Sequence, residues 1–363
     1  MKAFIQLNDI LTVSAKLYNI VPTKPQTAVL SCVKIQALDN QLILTTSDLT
    51  ITLVVSIPAR VEEEGELLLP AKQFFPLLKE LVSQELSLSS SSYAVTLSSG
   101  ASEFKLAGAN PEGFPLLPNV LETTQTSCST LLLKEMLGKT LFCAGKDDNR
   151  PMFSSIHLQK DEETTTFTGT DGRKLARTAA QLPFSHGWSG SFILPLKTAA
   201  EICNLLDAKE ELSYLSFLED KVFIQTGPFL LVSRLISGEY PDVARIIPEK
   251  TTPPLHLHKE ELSSLLRQIS LFTTIEHPAA RFTFSSGKLE LSIANMEAGE
   301  GKVEMPLNFQ GEPVQIGFNP VFFLEILRHI KDETLSLHIT DSYSPGLITD
   351  SSSAFFVLMP MRT

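Results

Sequence analysis

Apolar positions along this chain alternate with polar ones in short runs, then shift to spacings of three and four. The segment FIQLNDILTVSAKLYNI from Phe4 makes that change. So do STLLLKEMLGKTLFCA from Ser129 and PLHLHKEELSSLLRQIS from Pro254, the last with Leu262, Leu265, Leu266 and Ile269 on one stripe. Each predicts a strand running into an amphipathic helix. A second kind of block alternates throughout and closes on a proline after a polar turn: NQLILTTSDLTITLVVSIP from Asn40, TTTFTGTDGRKLARTAAQLP from Thr164, GKLELSIANMEAGEGKVEMP from Gly287. These predict a hairpin or neighbouring strands. A third block is again strand plus helix, at Glu66, Ser191 and Val314, and a fourth is a late strand at Phe104, Phe229 and Ala354.

The four blocks recur three times in one order, with a period of about 120 residues. Each copy reads βα…ββ…βα…ββ. Two helices against antiparallel strands make an α+β layered domain. Three such domains are expected at 1–124, 125–250 and 251–363, separated by polar or proline-rich linkers near 120–128 and 248–254. The helices are expected at 8–20, 71–82, 129–144, 197–206, 259–270 and 320–331, with Pro76 bending or breaking the second.

Charge changes this picture. The 363 residues hold 30 Lys and Arg against 41 Asp and Glu, a net charge of −11, which argues against a nucleic-acid binder coated in basic residues. The six predicted helices nevertheless carry ten basic and seven acidic side chains, so the acid excess lies outside them. Helices gathered on one side would make that side mildly positive, suited to weak, salt-sensitive phosphate contact. The N-terminus lacks a signal-peptide layout, and no apolar run approaches the roughly 20 residues that span a bilayer. The four scattered cysteines, Cys32, Cys128, Cys143 and Cys203, predict neither disulfides nor zinc and point to a reducing cytoplasm.

Catalytic signatures are missing. Gly138-Lys139-Thr140 ends like a P-loop, but Leu133 stands where that loop needs glycine. His256 and His258 have no nearby third ligand and read as a polar strand face. Asp147-Asp148-Asn149-Arg150 reads as a solvated loop, and Thr170-Asp171-Gly172-Arg173-Lys174 as a turn. Neither an enzymatic activity nor a metal or cofactor is expected.

The motifs Thr170-Asp171-Gly172-Arg173-Lys174-Leu175-Ala176, Gly238-Glu239-Tyr240-Pro241-Asp242 with Arg245 and Pro248, Gly113-Phe114-Pro115 and Met359-Pro360-Met361-Arg362, set on the threefold repeat, resemble the bacterial β sliding-clamp family over the whole length. The resemblance implies three DNA-clamp domains, each with two helices packed on antiparallel sheets, and a head-to-tail homodimer closed into a six-domain ring. Duplex DNA would thread that ring without being read, and the replicative polymerase would be tethered for processivity. It also implies a peptide-binding pocket between domains 2 and 3 that receives the polymerase catalytic subunit, the clamp loader, repair polymerases and mismatch-repair proteins.

Carried over position by position, that pocket uses Phe153, Thr170, Gly172, Arg173, Lys174, Leu175, Pro241, Arg245, Ile246, Tyr343, Val357, Leu358, Met359, Pro360, Met361 and Arg362. The DNA contacts map to Lys24, Lys72, Lys146, Arg150 and Lys197. The dimer seam sets Phe104 and Leu106 against Leu271 and Phe272. Arg173, Ala244 and Pro345 depart from the family's best-known pattern and bear on partner-motif preference.

Overall fold

Six times among the described residues a strand runs into an α-helix with at most one residue between them. The pairs are Lys2–Gln6 into α1 (Leu7–Ile20), Gly65–Pro70 into α2 (Ala71–Glu80), Thr126–Ser129 into α3 (Thr130–Leu141), Gly190–Pro195 into α4 (Leu196–Leu205), Leu255–His258 into α5 (Lys259–Ser270) and Val314–Phe318 into α6 (Pro320–Leu327). A computed structural model describes residues 1–116, 126–146, 149–161, 164–182, 189–218, 220–249, 252–295 and 298–362. The expected domain boundaries, 124/125 and 250/251, lie outside the described residues, as do Asp147 and Asp148.

Helix burial follows the sequence stripe. In α1 the buried residues include Ile10, Val13, Leu17 and Ile20, and in α5 Leu262, Leu266 and Ile269. Asn319 starts α6 by accepting hydrogen bonds from the N–H groups of Val321 and Phe322, with Pro320 in the first turn. The expected break at Pro76 does not occur. That residue is on the exposed side of α2, where a missing N–H costs least, while Phe74, Phe75 and Leu78 anchor the buried side.

Each half of each copy has one strand more than the pattern predicts, and the first half of the first copy has two more, the second being Arg60–Glu63. A strand precedes every hairpin (Cys32–Leu38, Ser155–Lys160, Ala280–Ser285), and three strands rather than two follow each second helix. The extra strands take the chain back across each sheet.

Among the described residues all strand pairing is antiparallel, in four sheets. Two of them have eight strands, and each joins neighbouring repeats: Phe229–Arg234 pairs with Ile51–Pro58, and Lys174–Ala180 pairs with Ala354–Leu358. The other two are smaller. One has five strands, in the order Arg60–Glu63, Lys2–Gln6, Glu85–Ser91, Ala94–Ser99, Ser102–Ala107. The other has four, in the order Gly299–Leu307, Gly287–Asn295, Ala280–Ser285, Val314–Phe318.

Because sheets cross repeat boundaries, the compact units are two. The first contains Met1–Leu133 and Ala200–Leu235, with the five-stranded sheet and one eight-stranded sheet. The second contains Lys134–Leu182, Gly190–Pro195 and Ile236–Thr363, with the other two sheets. The core of the second unit continues from Cys143 and Ala176 through Phe282, Phe318 and Phe323 to Phe356.

Candidate functional site

The turn at 170–174 is built by its own side chains. Asp171 Oδ1 accepts hydrogen bonds from the N–H groups of Arg173 (2.8 Å) and Lys174 (2.9 Å), and Thr170 Oγ1 accepts one from Gly172 (3.0 Å). Gly172 sits at φ +83°, in the left-handed region, and a Cβ there would lie 3.4 Å from the Phe153 ring. The same device recurs one repeat earlier. Asp48 Oδ1 accepts from Thr50 and Ile51, Ser47 Oγ from Leu49, and Leu49 takes the left-handed position at φ +75°.

After the last strand the C-terminal segment is pinned at two points. Met359 N–H donates to the Arg173 carbonyl (2.9 Å) and Met361 N–H to the Gly317 carbonyl (2.8 Å). Beside it runs the turn 243–246, started by Asp242, whose carboxylate also holds Arg245 Nε at 2.9 Å. Together these leave an open cavity of about 440 Å³, lined by Arg245, Ile246, Ile247, Pro248, Pro345 and Met359, with Glu249, Thr340 and Ser344 adding polar groups. Buried Leu175, Leu347 and Val357 form a neighbouring apolar cluster, against which Val243, Ile246, Ile247 and Phe355 pack. A concave apolar wall with a few polar groups suits capture of a short apolar peptide segment.

Strand parity divides the residues carried over from the family. Leu175 and Val357 belong to the apolar cluster beside the cavity. Lys174 and Leu358, one position along, point the other way, as pleating requires. Leu358 belongs to the core, and Lys174 Nζ forms a buried ion pair with Glu325, 4.8 Å from the Phe322 ring centroid and 5.8 Å from that of Phe142. Both are therefore removed from the cavity wall.

Phe153, Pro241, Pro360 and Met361 are half-buried, Thr170 is buried, and Arg173, Tyr343 and Arg362 are exposed. The loop bearing Tyr343 is held by Asp341, which accepts from the N–H groups of Tyr343 and Ser344; those bonds hold its carboxyl below the usual range. Ile247, Pro248, Glu249, Thr340, Ser344 and Pro345 line the cavity without belonging to the carried-over set. Pro248 belongs to a family motif and Pro345 departs from one, whereas Thr340 and Ser344 carry no local signal.

Supporting residues lie behind this turn. Tyr240 stacks on His157 at 4.6 Å, and His157 Nε2 is hydrogen-bonded to Ser191 Oγ at 2.7 Å. Burial and then the Arg177 charge push the His157 pKa down, and burial pushes that of Tyr240 up. Burial also raises the thiols of Cys128, to about 12, and Cys143, so both stay protonated and inert.

The Lys174–Glu325 pair joins the strand of the turn to α6. Glu325→Ala leaves a cation that is only 7% exposed without its counter-charge. We expect a loss of about 2 kcal/mol in urea unfolding, below the figure for fully buried pairs because Glu325 is itself a third exposed. Lys174→Met combined with Glu325→Leu is expected to recover most of that loss; a double variant no more stable than Glu325→Ala would show that the pair is not what holds these elements.

The expected DNA-facing cations separate into groups. Lys24 and Lys72 are exposed in the first unit, Lys146 and Lys197 in the second. Arg150 is exposed as well, but its guanidinium lies 4.0 Å from the Phe153 ring centroid and 3.5 Å from the Asp171 carbonyl oxygen, beside the turn. Three helical lysines are engaged internally. Lys16 donates to the Leu205 carbonyl, Lys259 to the Ile330 carbonyl, and Lys139 pairs with Glu135.

His256 and His258 are exposed on one face of their strand, as alternation required. Among the described residues no group of three His, Cys, Asp or Glu is placed to hold a metal ion. Among them too, no helix is long and apolar enough to cross a membrane.

The whole chain has relatives among known proteins. Residues 1–118 match the family described as DNA polymerase III beta subunit, N-terminal domain; 128–242 match its central domain and 244–362 its C-terminal domain. Proteins named beta sliding clamp from Chlamydia muridarum and Chlamydia pneumoniae are 37% and 38% identical over 364 residues, covering 100% of this chain and 99% of each relative. In fold, the chain is similar to the DNA polymerase III subunit beta of Pseudomonas aeruginosa, with a TM-score of 0.95 at 23% identity and full coverage of both chains. It is equally similar to the DNA polymerase sliding clamp of Bacillus subtilis, with a TM-score of 0.95 at 24% identity, covering 100% of this chain and 99% of that one.

Proposed function

The chain belongs to the DNA polymerase III beta subunit family, the non-enzymatic sliding clamps that confer processivity, and from that premise we propose how it performs the task. Two copies join head to tail into a ring of six clamp domains, with domains at 1–124, 125–250 and 251–363 in each. Duplex DNA passes through the ring without sequence readout.

The observation that carries this reading is the sheet inventory. Where two repeats meet, their strands merge into an eight-stranded sheet; the two remaining sheets have five and four strands and end on unpaired edges. Of the four edges, Arg60–Glu63 is short and charged, and Val314–Phe318 is flanked by the tail through the Met361 bond to Gly317. Ser102–Ala107 and Gly299–Leu307 are left. The first carries Phe104, 38% exposed, together with Leu106. The second is flanked by Phe272, with Leu271 beside it. Pairing these edges between copies completes both sheets and buries the apolar residues expected at the seam. Glu103 and Lys105 on one edge, and Glu300, Lys302 and Glu304 on the other, supply both signs of charge.

Helices from every domain line the hole, where Lys24, Lys72, Lys146 and Lys197 touch phosphates weakly. Retention is topological, so weak contacts leave the ring free to slide. The cavity beside Met359 receives an apolar motif from the polymerase catalytic subunit, the clamp loader, repair polymerases and mismatch-repair proteins. Phe153, Leu175, Pro241, Ile246 and Val357 back its wall, and Arg150 contributes there rather than at the DNA. The protein acts in the cytoplasm.

The test is retention after loading onto circular and linear duplexes at rising salt. The ring is expected to stay on nicked circles at about 0.5 M salt, where surface contacts are screened, and to slide off linear DNA. Equal loss from both templates would remove the topological claim.

A further inference from the structure

The third repeat carries a second cavity, of about 620 Å³, whose wall at Arg281 and Ser292 the clamp reading does not use; its rim, Glu300 and Lys302, lies on the strand edge assigned to the seam. It sets three cations against Glu276 and Glu300 on partly apolar walls. Arg281, Lys302 and Arg362 line it, with His277 and the Ser292 hydroxyl. The ladder explains why they converge. Gly317, Arg281, Ser292 and Lys302 lie opposite one another in successive strands of the four-stranded sheet, and the C-terminal segment crosses the same row through the Met361–Gly317 bond. Lys302 is held by Glu290 at 2.9 Å. Arg281 and Arg362 have no carboxylate within bridging distance among the described residues.

This cavity adjoins the apolar one through the chain itself. Met359 lines the first and Arg362 the second, three residues apart, a separation of at most ~11 Å in extended chain. We propose that the cationic cavity binds acidic residues flanking the apolar motif of a partner, so that one peptide occupies both cavities. The inference rests on the reading of the Met359 cavity given above. A short run of carboxylates matches the guanidinium forks. A nucleic-acid backbone fits less well, because the adjoining cavity is walled by Ile246, Ile247, Pro248, Pro345 and Met359 and offers its phosphates no continuation, while Glu276 and Glu300 hold the acidic flank to a short run. Edge pairing between copies uses backbone groups in the plane of the sheet and leaves the face bearing Arg281 and Ser292 uncovered.

The experiment measures fluorescence anisotropy on the full-length protein with five labelled peptides. One is Gln-Leu-Ser-Leu-Phe alone; the others carry an Asp-Glu-Asp or an Asn-Gln-Asn triplet, placed at each end in turn. The acidic triplet at one end is expected to tighten binding about three- to tenfold over the neutral triplet at low salt. That gain should vanish at about 0.5 M salt and in Arg281→Ser, with the affinity for the bare motif unchanged and the dimer intact.

No gain at either end, a gain that survives Arg281→Ser, or displacement of the acidic flank by a single-stranded oligonucleotide more readily than by free Asp-Glu-Asp peptide would overturn the inference. If the bare motif fails to bind, the apolar site falls. Arg281-dependent binding of the acidic peptide would then still support the cationic cavity, and its absence would overturn that too.

Discussion

Leu271→Asp is expected to convert the dimer into a folded monomer of 40.0 kDa. Leu271 is 79% exposed at the end of α5, so the isolated chain loses little by the change. Ile275, beside it, is fully exposed, and Phe272 packs against the edge strand where Gly301 leaves room; a Cβ there would lie 3.2 Å from the Phe272 ring. Apolar side chains crowded at an unpaired strand edge mark a surface made to be covered. Burying a leucine contributes about 1.5–3 kcal/mol, and burying an unpaired carboxylate instead costs several more. A closed ring has two seams, so one substitution acts twice, and the dimer constant should weaken by a factor of at least ~10³. Sedimentation velocity and near-ultraviolet circular dichroism read the outcome. Val82→Asp is the control, since Val82 is 97% exposed but lies outside the strands at either edge. A Leu271→Asp protein that still sediments as a dimer would place the seam elsewhere.

Removal of residues 359–363 is expected to abolish binding of the apolar motif, by at least ~50-fold, without unfolding the chain. The cut falls after Leu358, so the last strand and its buried Phe356, Val357 and Leu358 remain. What disappears is Met359, which lines the cavity, and the two backbone bonds that fix the segment against Arg173 and Gly317. A loss of ~50-fold is about 2.3 kcal/mol, within the range for a side chain that an apolar anchor packs against. Met359→Leu should keep most of the affinity, because volume and apolarity are retained, while Met359→Asp should behave like the deletion. Unchanged titration curves for the truncated protein would show that the motif binds elsewhere.

The repeat was legible because alternation and helical spacing are local properties. All six helices begin within a residue of their expected start, and every hairpin falls in its block. The site was legible only in part. Lys174 and Leu358 come to the pocket only by position-by-position likeness to the family, yet alternation along the same two strands sets them on the face opposite Leu175 and Val357. The partner of Lys174 was not foreseeable, since Glu325 lies 151 residues away. Thr340 and Ser344 come to the cavity from another part of the third repeat, and nothing in their local sequence marks them.

By itself the sequence determined what depends on near neighbours: three copies of one α+β pattern, the stripes that bury each helix, the self-bonded turn at Asp171, and a motif set that identifies the family. Tertiary structure alone decided what depends on distant strands meeting. It made two sheets continuous across repeats and left two with open edges, turned Lys174 into the core against Glu325, and pinned Met359 against Arg173. The physical reason is that backbone pairing across a sheet acts between segments more than a hundred residues apart, at a range that no local periodicity encodes.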